Sequence, residues 1–175
     1  MREVVFTYGR FNPPTKGHEM MIKKMKNMGK DTLVIVSHTQ NRKKNPLSFN
    51  EKKKVLQKMF PDTKFNHSSK GRQIKDIVRE LQDEYDKLTM VIGKDRLMNF
   101  IKFLPEVDEF VSAGNRSNDE NNVSGISATL ARNAVKSGDD KKFKRMMSNV
   151  LNNKNLSEMS RTISERLKVN NSKKR

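Results

Sequence analysis

Residues 9–18, GRFNPPTKGH, separate an apolar run of strand-forming residues, VVFTY at positions 4–8, from a segment with helical periodicity. Gly17 lets the chain turn tightly into this predicted helix. The start of a helix offers backbone N–H groups without intrahelical partners and the positive end of the helix dipole, which together attract anions. His18 in the first turn and Thr15 three residues earlier can each add a hydrogen bond to a phosphate. The stretch therefore predicts a phosphate-binding loop between a strand and a helix.

Strand-like and helical segments alternate along most of the chain. After the first strand, further strand-like runs are separated by helical patterns, and three more helices follow from residue 127. This alternation is typical of a mostly parallel sheet with helices on both faces. Right-handed crossovers make it a Rossmann-like, doubly wound α/β fold with five parallel strands and extra C-terminal helices. The further strands are predicted at residues 32–36, 63–66, 89–92 and 109–112.

Sheets of this kind bind ligands at the carboxyl ends of their strands, near the point where the strand order reverses. The loop after the first strand is therefore the first place to look for a site. Asn50 resembles the N-cap of the second helix. The polar segment 115–124 is expected to be mobile.

The C-terminal part of the chain predicts two further helices. Apolar residues between 143 and 151 predict an amphipathic helix, and those between 156 and 167 predict a weaker last one. The tail from residue 169 is basic and is expected to be disordered. The sequence leaves three roles open for these helices: to cover the core, to form a homo-oligomer or to bind another chain.

Composition limits the class of protein. The chain has 175 residues, of which 33% are hydrophobic, and this length supports one domain, alone or with an appendage. It contains no cysteine, which excludes a disulfide scaffold, a thiolate zinc site and a cysteine nucleophile. No apolar run approaches the ~20 residues of a membrane span, and the N-terminus does not resemble a signal peptide. We expect a cytoplasmic protein without a membrane partner.

The charge is strongly positive. Lysine and arginine total 37 against 20 acidic residues, which gives a formal net charge of +17. Such a charge attracts polyanions, including nucleotides and nucleic acid. Aromatic residues are 6% of the chain and do not alternate with the basic ones, so a base-stacking platform is not indicated. Basic clusters such as residues 52–54 are interpreted as solvated helix faces. His38 and His67 are each isolated and are interpreted as surface or structural residues.

A second phosphate-binding pattern lies at residues 125–132, GISATLAR. Ser127 and Thr129 stand where a helix begins, so their hydroxyls and nearby backbone N–H groups can face one anion. Arg132 follows about one turn later, and its guanidinium suits bidentate contact with phosphate. Taken alone, this pattern is more typical of an ordinary serine N-cap beside a solvated arginine.

Together, the two segments resemble the signatures of a known superfamily. Thr15, Gly17 and His18 match the (H/T)xGH signature of the cytidylyltransferase-like nucleotidyltransferase superfamily. The preceding residues 9–13 resemble the GRFxP form of several adenylyltransferases. Residues 126–132, beginning at Ile126, resemble the ISxTxxR motif that the superfamily carries near its C-terminal end, in the expected order and about a hundred residues later.

A third segment, VIGKD at residues 91–95, resembles the one that follows the fourth strand in nicotinamide mononucleotide adenylyltransferases. In those enzymes the aspartate, here Asp95, contacts a bound nucleotide, and Gly93 precedes it. An Asp that merely caps a helix after a strand-ending glycine explains the same residues equally well. The resemblance covers residues 1–144, interpreted as the nucleotidyltransferase domain, and extends to small nucleotidyltransferases of tailed bacteriophages. Residues 145–168 are interpreted as a helical extension and 169–175 as the tail.

The resemblance implies a reaction and a set of site residues. An acceptor phosphate attacks the α-phosphorus of a nucleoside triphosphate and pyrophosphate leaves. His18 and Thr15 would contact the α-phosphate, and Ser127, Thr129 and Arg132 would hold the β- and γ-phosphates. Mg²⁺ would bind mainly through the phosphates rather than through protein ligands. The remaining residues that the resemblance assigns to nucleotide binding are Tyr8, Gly9, Arg10, Phe11, Gly17, Gly93, Asp95 and Ile126.

Lys43 and Lys44, in the loop after the second strand, are placed to reach an acceptor phosphate, although a solvated loop is an equally good interpretation. ATP with nicotinamide mononucleotide as acceptor is the favoured substrate pair. Cytidylyl transfer from CTP to a sugar-phosphate or alcohol-phosphate is the second interpretation. A non-catalytic nucleic-acid-binding or virion-associated protein on the same fold is the third, and the net charge also predicts weak, nonspecific binding of polyanions.

Overall fold

The computed structural model describes residues 1–69, 71–114 and 126–172, with side chains throughout except for His67 and residues 168–172. Five strands form one sheet in the order β3-β2-β1-β4-β5, and every neighbouring pair is parallel. The predicted five-stranded, Rossmann-like α/β fold is thereby confirmed. The strands are β1 (Glu3–Gly9), β2 (Asp31–Val36), β3 (Lys64–His67), β4 (Lys87–Ile92) and β5 (Glu109–Ser112).

Helices cover both faces of the sheet because side chains alternate between its faces along each strand. In β1, Val5 packs with α1 on one face, whereas Val4 and Phe6 pack with α3 on the other. α2 joins α1, and α4 joins α3. The helices are α1 (Lys16–Lys26), α2 (Phe49–Met59), α3 (Ile74–Glu84), α4 (Lys94–Phe103), α5 (Ala128–Lys136), α6 (Asp140–Met146) and α7 (Asn153–Ser172).

The last three helices share a core of their own. Phe143 of α6 and Ile163 of α7 are fully buried in one cluster with residues of α5. Leu47, from the loop between β2 and α2, belongs to the same cluster. The C-terminal helices therefore bury apolar surface against α5 and the loop before α2. No helix within the described ranges is long and apolar enough to cross a membrane.

Polar contacts also join the C-terminal helices to the sheet domain. Arg166 of α7 donates to the Pro46 carbonyl at 2.7 Å and pairs with the Glu51 carboxylate of α2 at 3.1 Å. Ser148, in the turn before α7, donates its hydroxyl hydrogen to Glu19 of α1. Partial burial raises the pKa of Glu51, but hydrogen bonds from Arg166 and Ser48 outweigh this effect and lower it overall.

Several element boundaries differ from the prediction. The N-cap of α2 is Ser48 rather than Asn50, because Ser48 and Glu51 form a reciprocal capping box with bonds of 2.8 and 3.2 Å. α6 ends at Met146, and the next residue is extended. The hydroxyl of Ser148 then accepts the Val150 N–H at 3.2 Å and closes a turn.

The last helix is longer than predicted. α7 has 20 residues and runs to Ser172, beyond the point where the tail was expected to begin. The boundary predicted after residue 144 falls inside α6. The segment 115–124, expected to be mobile, and residues 173–175 lie outside the described residues.

Candidate active site

A cavity of about 320 Å³ opens at the carboxyl ends of β1 and β4, where the strand order reverses. We call it the first cavity. It collects side chains from segments far apart in the chain, because crossover connections bring the loops after parallel strands to the same edge of the sheet. The predicted site residues that line it are Tyr8, Gly9, Arg10, Phe11, His18, Lys44, Gly93, Ser127, Thr129 and Arg132.

The loop after β1 is held by close packing. A Cβ atom on Gly9 would lie 3.0 Å from the ring of Phe11, so a side chain at this position would require the Phe11 ring to shift. Phe11 is buried and has a positive φ of 49°, a conformation that L-residues rarely adopt. Its ring centroid lies 4.7 Å from that of His18. The packed ring of Phe11 thus contacts the imidazole of His18 and limits where it can lie.

Hydrogen bonds orient the imidazole of His18. The backbone N–H of Thr15 donates to His18 Nδ1 at 3.0 Å. Because Nδ1 accepts this bond, the neutral ring carries its hydrogen on Nε2. The neighbouring Thr15 hydroxyl lies 3.2 Å from the same Nδ1 atom and donates to the Ile126 carbonyl at 2.9 Å. The capping box of α1 therefore selects the tautomer of the residue that lines the cavity.

Thr15 itself does not line the first cavity. Its side chain is fully buried, and its hydroxyl hydrogen is used by Ile126. The contact between Thr15 and the α-phosphate that the resemblance implied is therefore not available in this structure. Ile126 is also buried, and it lines a small neighbouring cavity together with Gly17. Thr15, Gly17 and Ile126 therefore lie next to the first cavity without lining it.

A buried lysine, interpreted from sequence as part of a solvated cluster, holds the same loop. Lys52 of α2 has no exposed surface and donates to the carbonyls of Arg10 at 2.9 Å and Ser37 at 2.7 Å. The Ser37 N–H donates to the Gly9 carbonyl at 2.8 Å. Burial, with a smaller contribution from the charge of Arg10, lowers the pKa of Lys52 to about 8.

The sequence feature that could have predicted the burial of Lys52 is its position on the helix. Within α2, Lys52 lies on the same face as the buried residues Leu56 and Met59, four and seven positions later. A lysine at an apolar helical spacing is a candidate for burial when carbonyl groups are within reach. Its partners come from the ends of two strands, however, and the sequence does not name them.

Arg132 ties α5 to the loop after β1. It is 9% exposed and donates to the Asn12 carbonyl at 2.8 Å and to the Thr129 hydroxyl at 3.2 Å. Burial and the nearby charge of Arg10 lower the pKa of Arg132. Asn12 in turn exchanges two hydrogen bonds of 2.9 Å with the backbone of Leu47. Hydrogen bonds that link Leu47, Asn12 and Arg132 thus hold the Arg132 guanidinium at the cavity.

The remaining predicted residues lie after the end of β4 and at the start of α5. Ser127 caps α5 by accepting the Leu130 N–H at 3.2 Å, as its position predicted. Gly93 precedes α4 and lines the first cavity, but Asp95 is exposed and does not line it. The next residue, Arg96, does line the cavity, and its guanidinium lies 5.0 Å from the centre of the Phe100 ring. Arg96 was not predicted from sequence, because the resemblance directed attention to Asp95.

The first cavity is strongly cationic. Four basic side chains line it, and no acidic side chain is among its lining residues in the described part of the chain. Within the same ranges, no cluster of three or more His, Cys, Asp or Glu residues is arranged to hold a metal ion. The lining suits a polyanion better than a bare cation. The basic residues are Arg10, Lys44, Arg96 and Arg132.

A second cavity of about 890 Å³ adjoins the first. The two cavities share Tyr8, and the second lies over the carboxyl ends of β1, β2 and β3. His38, interpreted from sequence as surface or structural, is exposed and lines it. The other lining residues are mostly neutral and polar: Thr39, Gln40, Ser48, Asn50, Ser68, Ser69 and Gln73, with Phe49 and Ile74.

A comparison of the sequence with family models gives one match. The model described as cytidylyltransferase-like matches residues 6–134. The chain belongs to this family. The family resemblance predicted from the two motif segments is therefore confirmed, and the chain is a nucleotidyltransferase. No curated protein sequence matches it.

Solved structures with the same fold share little sequence. A nicotinic acid mononucleotide adenylyltransferase of Plasmodium falciparum, complexed with NaAD, has a TM-score of 0.64 at 13% identity, covering 94% of this chain and 96% of its own. A bifunctional NMN adenylyltransferase/ADP ribose pyrophosphatase of Francisella tularensis, complexed with AMP and a manganese ion, has a TM-score of 0.65 at 16% identity. The match covers 98% of this chain but 54% of the bifunctional protein.

Proposed function

We propose that this protein is an adenylyltransferase that transfers AMP from ATP to the phosphate of a mononucleotide acceptor such as nicotinamide mononucleotide. One observation carries the proposal. His18 from the first motif segment and Ser127, Thr129 and Arg132 from the second line one cationic cavity at the switch point of the sheet. Structural neighbours that act on nicotinamide or nicotinic acid mononucleotide support the choice of acceptor.

The reaction requires little covalent chemistry from the protein. An oxygen of the acceptor phosphate forms a bond to the α-phosphorus of ATP, the bond from that phosphorus to the bridging oxygen breaks, and pyrophosphate leaves with the electron pair. Since the acceptor phosphate is already ionised, no strong general base is needed. Catalysis then depends on positioning and on stabilising negative charge.

The predicted donors that line the first cavity each have a place in this scheme. The Nε2–H of His18 donates to an oxygen of the α-phosphate, where charge develops in the transition state. Ser127, Thr129 and Arg132 hold the β- and γ-phosphates, and Arg10 adds positive charge from the opposite loop. Thr15 acts through His18, because its backbone N–H holds the ring in the required tautomer.

Mg²⁺ is the proposed cofactor, carried into the site by ATP. A divalent cation neutralises part of the charge on the leaving pyrophosphate. The cavity fits a metal that the phosphates hold, because its lining residues in the described ranges are cationic or neutral and include no carboxylate. A structural neighbour holds a manganese ion together with AMP, which supports a divalent cation in this role.

The second cavity is the proposed acceptor site. It shares Tyr8 with the first cavity, so an acceptor there has its phosphate close to the α-phosphorus of ATP. Its neutral polar lining suits a heterocycle and a ribose better than a highly charged group. Lys44 lines the first cavity on the loop that also borders the second, and it contacts the acceptor phosphate.

The experiment measures pyrophosphate release with Mg²⁺. ATP or CTP would each be combined with nicotinamide mononucleotide, phosphopantetheine, flavin mononucleotide or glycerol phosphate. We expect release with ATP and nicotinamide mononucleotide, accompanied by the dinucleotide product. Release only with CTP and glycerol phosphate would replace the proposal with cytidylyl transfer. No release and no ATP binding, combined with tight DNA or RNA binding that falls steeply with salt, would favour the nucleic-acid-binding alternative.

A further inference from the structure

Asn45 differs from the other buried polar side chains that line the first cavity. It is 1% exposed and follows Lys44 in the loop between β2 and α2. Its backbone is hydrogen bonded: the N–H donates to Asn41 Oδ1 at 3.1 Å, and the carbonyl accepts from the Asn41 N–H at 2.8 Å. Its side-chain Oδ1 and Nδ2, however, have no hydrogen-bond partner among the residues that the structure describes.

Asn12 shows what a structural asparagine looks like in the same cavity. It is fully buried, and its Oδ1 and Nδ2 are both paired with the backbone of Leu47 at 2.9 Å. A buried amide without such bonds destabilises the folded chain, because it has lost its water partners and gained none. Native proteins contain few such groups, and each one calls for a physical reason.

The surroundings of Asn45 indicate that reason. The cavity is lined by Arg10, Lys44 and Arg132, so its occupant is anionic. A phosphate oxygen offers the acceptor that Nδ2 lacks. A ligand hydroxyl or a water carried with the ligand offers the donor that Oδ1 lacks. The amide can donate and accept hydrogen bonds as a nucleotide-binding group does, and its side chain makes no hydrogen bond to the described part of the chain.

We propose that the Asn45 carboxamide is a ligand-binding group whose Nδ2–H donates to a phosphate oxygen of a nucleotide in the first cavity. The phosphate comes either from ATP or from the mononucleotide acceptor. The identity of the ligand rests on the proposed function, but the contact itself is measured by binding and needs no turnover.

The test replaces Asn45 by leucine, which has a similar size and no polar atoms. Because no described hydrogen bond is lost, the melting temperature of unliganded Asn45→Leu is expected to equal or exceed that of the wild type. Affinity for at least one of ATP, nicotinamide mononucleotide and inorganic pyrophosphate, each measured alone by calorimetry, is expected to fall about tenfold or more. A fall with ATP and pyrophosphate assigns the contact to the triphosphate, whereas a fall only with the mononucleotide assigns it to the acceptor.

Two further variants separate the loss of the amide from a change in the shape of the cavity. Asn45→Ala removes the amide without adding bulk, so it must weaken binding of the same ligand if leucine does not merely block the cavity. Thr89→Val is the matched control, because Thr89 of β4 is also buried with an unpartnered hydroxyl among the described residues but does not line the cavity. It is expected to leave all three affinities unchanged.

The outcomes separate this inference from the proposed function. Wild-type affinities in both Asn45 variants, or a lower melting temperature of unliganded Asn45→Leu with unchanged affinities, would overturn the inference even if the wild type is an active adenylyltransferase. Asn45-dependent binding of pyrophosphate by a protein without turnover would support the inference and contradict the proposed adenylyltransferase function. A wild type that binds none of the three probes would overturn both.

Discussion

Two loops meet at the first cavity, and they are built differently. In residues 9–15, from the end of β1 to α1, two backbone carbonyls are held by buried cations: Lys52 holds that of Arg10 and Arg132 holds that of Asn12. The loop from β2 to α2, residues 37–48, presents the exposed Lys44 and the unpartnered amide of Asn45. We therefore expect the first loop to position His18 and the second to contribute ligand-binding groups, Lys44 and Asn45.

The largest effect is expected at residues 9–15 and at the helix start that follows them. His18→Ala removes the donor to the α-phosphate and is expected to lower kcat roughly 10²- to 10³-fold, as for the loss of one transition-state hydrogen bond. The affinity for ATP should change much less, because the β- and γ-phosphate contacts remain. Steady-state rates of pyrophosphate release and ATP calorimetry measure the two quantities.

His38→Ala is the comparison at saturating acceptor, because this exposed histidine lines the proposed acceptor site but not the first cavity, so its loss can raise the KM for the acceptor without changing kcat. It should leave kcat for ATP within about twofold of the wild type. Equal losses of kcat in both variants, or a wild-type kcat in His18→Ala, would remove the α-phosphate role from His18.

The second prediction compares stability between the two loops. Asn12→Ala leaves the N–H and carbonyl of Leu47 without their partners, so the free energy of unfolding is expected to fall by roughly 1–3 kcal/mol for each group. Asn45→Ala loses no described side-chain hydrogen bond and should cost much less. Urea unfolding of both variants measures the difference, and similar losses would show that the two loops are equally structural.

The third prediction concerns the acceptor side. Lys44→Ala is expected to raise the KM for the acceptor about tenfold, the loss of one charge-assisted contact, with a smaller change in kcat. Lys43→Ala is the matched control, since Lys43 is also exposed but does not line the cavity. If the neighbouring lysine gave the same shift, general attraction of charge rather than a specific contact would account for the result.

The smallest effect is a dependence of stability on pH. The pKa of Lys52 is lowered to about 8 in the folded protein, from an ordinary value of 10.5. Between these values the unfolded chain binds more protons than the folded one, so the free energy of unfolding contributed by Lys52 rises with pH. Relative to the wild type, Lys52→Met should lose part of this rise between pH ~7.5 and ~9.5 in urea unfolding.

Lys54→Met, a change at an exposed lysine of the same helix, should keep the wild-type slope. An unchanged slope in Lys52→Met would mean that Lys52 does not titrate in this range, and would contradict the lowering of its pKa by burial.

The fold could be predicted from the sequence because hydrophobic periodicity reflects local geometry. Runs such as residues 32–36 are typical of buried strands, and alternation with helices leaves few arrangements of the sheet. The predicted end of the short helix α6 was wrong, because there the apolar pattern does not reflect a helix. Met147 and Leu151 continue the apolar pattern, but both are buried from a turn rather than from a helix.

The site could be predicted only in part. His18, Ser127 and Arg132 followed from two motif segments, and the structure brings all three to one cavity. Lys52 did not follow, because its partners are carbonyls at the ends of two strands that are distant in sequence. The unpartnered amide of Asn45 could not be predicted either, because the lack of a hydrogen-bond partner is recognised only when the neighbours of the side chain are known.

The most direct test is a crystal structure with a nonhydrolysable ATP analogue and Mg²⁺. We predict the α-phosphate beside His18, and the β- and γ-phosphates against Ser127, Thr129 and Arg132. The metal should be held by phosphate oxygens and water, and the second cavity should remain open for an acceptor. A triphosphate bound in the second cavity, or one that leaves His18 and Arg132 without a phosphate contact, would contradict the proposed site.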